Sequence, residues 1–126
     1  MLKLRCNSFH TGRFSWHENN VTNSVVNYMS GLDGRIPNKG NVIIAIGNIN
    51  TCEPCRKLEE FMKKYGKEIG IPFVSIPVHE IEAENSGLKI ISIPKIIFMR
   101  DGSVVMNSEG FSNGENFKEL IKIAFQ

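Results

Sequence analysis

Between residues 41 and 60 the chain passes from an apolar run, Asn41-Val-Ile-Ile-Ala-Ile46, through Thr51-Cys52-Glu53-Pro54-Cys55 into a segment of helical periodicity. This succession puts two thiols on the first turn of a helix that follows a strand. Cysteines separated by two residues on such a turn can close a small disulfide. Cys52 would face unsatisfied backbone N–H groups and the positive end of the helix dipole, both of which favour thiolate over thiol. Thiol-disulfide exchange is the chemistry this arrangement serves.

A chain of 126 residues is expected to form one domain. At this size folding removes roughly two thirds of the unfolded surface from water, enough for a core without structural disulfides. Three cysteines, two of them in one C-x-x-C, do not form the framework of a small secreted scaffold. Residues 1–10 contain no apolar signal core, and no stretch reaches membrane-spanning length, so the sequence reads as cytoplasmic. A net charge of +2 with interleaved signs leaves no nucleic-acid footprint.

Residues 1–40 are rich in Asn and Ser, poor in periodicity, and end in turn-forming residues from Gly31 to Gly40. They read as an N-terminal extension, with a strand over Leu2–Cys6 and a helix over about 21–32, where Val21, Val25, Tyr28, Met29 and Leu32 fall at helical spacing. The ordered core is expected over 41–126. There, Val42–Ile46 is the β-branched run of a strand covered on both faces. Thr51 is the expected cap of a helix whose apolar face is Leu58, Phe61, Met62 and Tyr65, ended by Gly66 or Gly70. Ile71–Val78, interrupted by Pro72 and Pro77, reads as an edge strand, followed by a helical piece around Ile81–Leu88. Asp101-Gly102 marks a hairpin between Lys95–Arg100 and Ser103–Asn107. Ser112-Asn-Gly-Glu115 forms a capping box ahead of Phe117, Leu120, Ile121 and Phe125 on a last helix.

The order strand, C-x-x-C helix, strand, helix, proline-led hairpin, helix resembles the thioredoxin fold. The match covers about 41–126, with 21–32 as the preceding helix. Cys52-Glu-Pro-Cys55 looks like the family's redox motif, and Ser92-Ile93-Pro94-Lys95 like its cis-proline segment. Arg100-Asp-Gly looks like the hairpin turn, and Gly110 like the glycine that lets a substrate chain approach. The resemblance implies an α/β fold with a central mixed sheet flanked by helices. It also implies a redox-active Cys52–Cys55 disulfide, no bound cofactor or metal, protein disulfides as substrates and a reductase as electron donor to a monomer.

On that footing Cys52, exposed at the helix start, attacks a substrate disulfide and Cys55, one turn deeper, resolves the mixed disulfide. Ile93, beside a cis Pro94, offers backbone groups to an extended substrate, with Gly110 nearby. Pro54 is tolerated in the first helical turn and stiffens it. Three positions depart from the family pattern. Glu53 places a carboxylate near the thiolate, where its repulsion opposes the helix dipole. The family's buried acid, six residues before the first cysteine, falls on Ile46, and Thr51 replaces a common tryptophan.

Competing readings attach to several of these residues. Cys6 reads as a small buried hydrophobe rather than a third redox thiol. Zinc held by Cys52, Cys55 and two of Cys6, His10 and His17 would draw ligands from a segment without a second compact pair. A binding or scaffold module of the same fold, working through the Ile93-Pro94 groove or the extension, is the alternative to an oxidoreductase.

Overall fold

The β-branched run Asn41–Gly47 forms β2, and every side chain from Val42 to Ile46 is buried, as a strand with two covered faces requires. The structure is a computed structural model, and it describes residues 5, 6, 8, 37, 39–80 and 92–126. The described elements are β1 (Arg5–Cys6), β2, α1 (Glu53–Ile69), β3 (Phe73–Pro77), β4 (Ser92–Ile93), β5 (Lys95–Arg100), β6 (Ser103–Glu109) and α2 (Gly114–Ala124). The expected helices over 21–32 and 81–88, together with His10 and His17, lie outside the described residues.

Four strands form one mixed sheet in the order β3-β2-β5-β6. β2 runs parallel to β3, with Ile46 opposite Ile76, and antiparallel to β5, with Ile46 opposite Lys95. β3 is therefore the outer strand expected from Pro72 and Pro77, though it is shorter than the 71–78 run. Asp101 and Gly102 both take positive φ, 51° and 82°, so the β5–β6 loop has the handedness that matches strand twist. Asp101 also ties the hairpin to the start of β2 by accepting from the Gly40 N–H at 2.7 Å.

Residues alternate between the two faces of the sheet. Ile43, Ala45, Ile96 and Phe98 pack with Leu58 and Met62 of α1 and with Phe117, Ile121 and Ala124 of α2. Val42, Ile44, Ile46, Ile97 and Met99 lie on the other face, with Ile76, Ile93, Cys52 and Cys55. α1 stops at Gly70, whose left-handed φ of 69° suits only glycine at low cost. Gly66, the other stop candidate, is buried inside the helix. α2 starts one residue later than the capping box suggests. Asn113 is the cap, its Oδ1 accepting from the Asn116 N–H at 2.9 Å, while Ser112 Oγ accepts from the Asn116 side-chain amide.

Candidate functional site

The C-terminal end of β2 feeds a tight turn that sets the cysteines. Asn48 organises it: its carbonyl accepts from the Cys52 N–H at 2.9 Å and from Thr51 at 3.3 Å, and its side chain accepts from Asn50. Cys52, not Thr51, is the N-cap of α1, with extended φ and ψ and no side-chain cap bond. Thr51 is exposed in the turn. The difference has a plain cause: a cap is fixed by where helical dihedrals begin, and the Asn48 turn delays that point by one residue. The Cys52 carbonyl then accepts the first helical bond, from Arg56 N–H at 3.1 Å. Pro54 occupies the first turn, where no donor is lost.

Cys52 and Cys55 lie in the same buried cluster, 2% and 4% exposed. The sequence expectation of an exposed Cys52 is thereby corrected. So is the expected pairing: Cys52 is bonded to Cys6, with Cα atoms 5.5 Å apart, and Cys55 is a free thiol. Cys6 itself is exposed, not the small buried hydrophobe its composition suggested. The reason is topological. β1 runs parallel to β4 with Cys6 opposite Ile93, and this register delivers its sulfur to the start of α1.

Burial pushes the Cys55 thiol above its ordinary 9.0, and backbone hydrogen bonding at Asn48 and at Cys55 itself offsets part of the rise. Nothing in the residues around it signals the role of Gly47. A Cβ there would sit 2.6 Å from Cys55 Sγ and 3.1 Å from its Cβ, so only glycine lets β2 pass this close to the thiol. Pro94 flanks the same spot, 3.9 Å from that Cβ position. The Ile93-Pro94 bond is cis, and the Pro94 carbonyl accepts from the Gly110 N–H at 2.8 Å. Gly110 has a φ of 84°, so the sequence-selected Ile93, Pro94 and Gly110 form one backbone cluster next to Cys55.

Two electrostatic features stand out around Cys52 and Cys55. Glu53 is exposed and salt-bridged to Lys57 at 3.1 Å, and this partner lowers its carboxyl pKa below the ordinary range. Its charge is spent on Lys57 and water. Ile46, fully buried, pairs across the sheet with Lys95, whose ammonium is also buried. Burial lowers the Lys95 pKa, and the Glu109 carboxylate 3.9 Å away partly restores it. A lysine opening the strand Lys95–Arg100 looks solvated in sequence, and only the fold reveals its burial.

Among the described residues no cluster of three or more His, Cys, Asp or Glu is placed to hold a metal ion. No described helix is long and apolar enough to cross a membrane.

The sequence model of the thioredoxin family matches residues 33–123. The chain belongs to the thioredoxin family. A thioredoxin of Bacillus subtilis (strain 168) is 31% identical over 72 residues, which is 56% of this chain and 69% of that protein. The X-ray structure of Fasciola hepatica thioredoxin superposes with a TM-score of 0.54 at 25% identity, covering 69% of this chain and 84% of the other. A mutant thioredoxin from Halobacterium salinarum gives a TM-score of 0.57 at 22% identity over 70% of this chain and 77% of its own; at that identity the likeness shows the fold. The thioredoxin family assigns the chain a thiol-disulfide oxidoreductase-type role in general terms.

Proposed function

We propose that this chain reduces or exchanges protein disulfides through Cys52 and Cys55. The observation that carries the reading is the placement of Cys52 as N-cap of a 17-residue helix with a free, buried Cys55 three residues on. Freed from Cys6, Cys52 Sγ has the helix N-terminus to stabilise its thiolate. The thiolate attacks one sulfur of a substrate disulfide and the other sulfur leaves with a proton. Cys55 then attacks Cys52 and releases the reduced substrate, leaving a Cys52–Cys55 disulfide. Ile93 supplies the docking backbone, Gly110 holds Pro94 in place, and Gly47 keeps room for Cys55. Pro54 stiffens the turn, and Thr51 and Glu53 border it.

In this reading residues 41–126 are the working core and 1–40 an extension. The protein is a cytoplasmic monomer re-reduced by a separate reductase. It acts on proteins rather than on nucleic acid or membranes, and uses no cofactor beyond its own thiols.

Reduction of insulin disulfides tests this. Wild type is expected to turn over, Cys52→Ser to fall to background, and Cys55→Ser to stall as a mixed disulfide visible on a non-reducing gel. The replacement of the family's acid by Ile46 favours a second reading, a binding module with little turnover. A folded wild type that leaves insulin intact would select that module.

A further inference from the structure

Two residues of the extension make, within one chain, both contacts that the proposed reaction asks of a protein substrate. Arg5–Cys6 pairs in parallel with Ser92–Ile93, placing Cys6 opposite Ile93, and Cys6 is covalently bonded to Cys52. A substrate caught halfway through exchange would have this form: extended pairing at Ile93 and a disulfide to the helix-capping cysteine. We propose that Arg5–Cys6 is a tethered substrate mimic, and that Cys6 is a third redox cysteine competing with Cys55 for Cys52. The proposal rests on the reading of Cys52 and Cys55 as the exchanging pair.

The internal step balances without any outside oxidant or reductant. Cys55 loses its proton to solvent and its thiolate attacks Cys52 Sγ. The Cys52–Cys55 bond forms, the Cys6–Cys52 bond breaks, and Cys6 leaves as a thiolate that takes up a proton. The reverse step begins with the Cys6 thiolate attacking the same sulfur. Two electrons stay removed from three thiols throughout, so the oxidised protein is a pair of isomers rather than one state. Burial keeps Cys55 as the neutral thiol, which slows its attack on Cys52 and lengthens the life of the Cys6–Cys52 isomer once it has formed.

The arrangement also defines a ligand. A segment that replaces Arg5–Cys6 runs parallel to Ser92–Ile93, is extended, and carries a half-cystine in register with Ile93. It must compete with a tether 46 residues away in sequence, whose effective concentration is on the order of millimolar. The protein therefore favours abundant or pre-extended cystine segments over dilute ones.

The test uses the full chain, oxidised with diamide, quenched in acid, alkylated and digested without reduction. Mass mapping is expected to find the Cys6–Cys52 peptide beside the Cys52–Cys55 peptide in wild type. Only the first should appear in Cys55→Ser and only the second in Cys6→Ser. Removing the tether should lower the KM for insulin at least about threefold in Cys6→Ser. A wild-type map lacking the Cys6–Cys52 peptide, a readout that needs no variant, overturns the proposal; so does an unchanged KM in Cys6→Ser. If wild type contains the linked peptide yet reduces no insulin, the loss falls on the oxidoreductase reading and with it the mimic's role, while the pairing itself stands.

Discussion

The face of the sheet packed by α1 and α2 is aromatic: Phe117 meets Phe61 and Phe111 edge-on at 6.0 and 5.7 Å, and Phe98 in a tilted arrangement at 5.9 Å. The buried cluster on the opposite face is aliphatic apart from Cys52, Cys55 and a methionine. Aromatic rings supply large buried area and preferred packing angles, so the first face is specified by side-chain shape. The second face is specified by backbone. There Gly47, the Asn48 turn, and the Pro94–Gly110 hydrogen bond decide where two sulfur atoms lie. If Cys52 and Cys55 carry the proposed exchange, stability and chemistry are separated across the sheet, and substitutions on the two faces should fail in different ways.

The largest effect belongs to Cys52→Ser, which is expected to eliminate turnover in the insulin assay while leaving the urea midpoint of the reduced protein nearly unchanged. Loss of stability with activity per folded molecule intact would reverse the assignment of the faces. Phe117→Ala makes the complementary cut. It should cost about 3–5 kcal/mol in urea unfolding, since a fully buried ring leaves a cavity its ring partners cannot fill. The remaining folded fraction should still form the mixed disulfide at Cys52.

Gly47→Ala is intermediate. The added methyl collides with Cys55 and should cost about 1–3 kcal/mol of stability. It should also slow release of the mixed disulfide more than its formation, a split that stopped-flow thiol release can resolve. Equal slowing of both steps would mean the collision is relieved by moving Cys52 instead.

The raised pKa of Cys55 predicts a pH response with a defined sign. With Cys52 bonded to Cys6, the folded protein holds that proton more tightly than the unfolded chain. The corresponding stability is complete below the unfolded thiol's pKa, near 9, and is lost as pH rises through the higher folded value. Mixed-disulfide resolution should accelerate over the same range as thiolate accumulates. Urea midpoints and resolution rates from pH 7 to 10 check both directions, and Cys55→Ser should flatten the stability curve.

The smallest effect is expected from Glu53→Gln. With its carboxylate exposed and engaged by Lys57, the rate of Cys52 alkylation in reduced protein should change less than about twofold. A several-fold gain would show that Glu53 reaches the thiolate despite its partner.

Most of the sheet was legible because periodicity and turn chemistry agree. Val42–Ile46 reads as a doubly covered strand, Asp101-Gly102 as a hairpin, and Leu58/Met62 and Phe117/Ile121 as inward faces, and each is so placed. The caps were legible in kind but not in position. Ser112 gives way to Asn113 because the two share the cap chemistry, and Thr51 to Cys52, which caps without a side-chain bond, because the Asn48 turn delays the first helical dihedrals. Two site features left no local trace. Gly47 is required by a side chain from another element, and the partner of Cys52 is 46 residues away, a connectivity that spacing cannot encode. Lys95 is a third such case, a charge buried at the first residue of a strand.

The central claim is that Cys52 is the sulfur that meets substrate. The Cys6→Ser/Cys55→Ser double variant leaves Cys52 as the sole thiol, with neither tether nor resolving group. Mixed in reduced form with a short cystine peptide at neutral pH, it should gain the mass of one peptide half, mapped to Cys52, and hold it until dithiothreitol is added. A folded double variant that gains no adduct, although its Cys52 is reduced before mixing, would contradict the account.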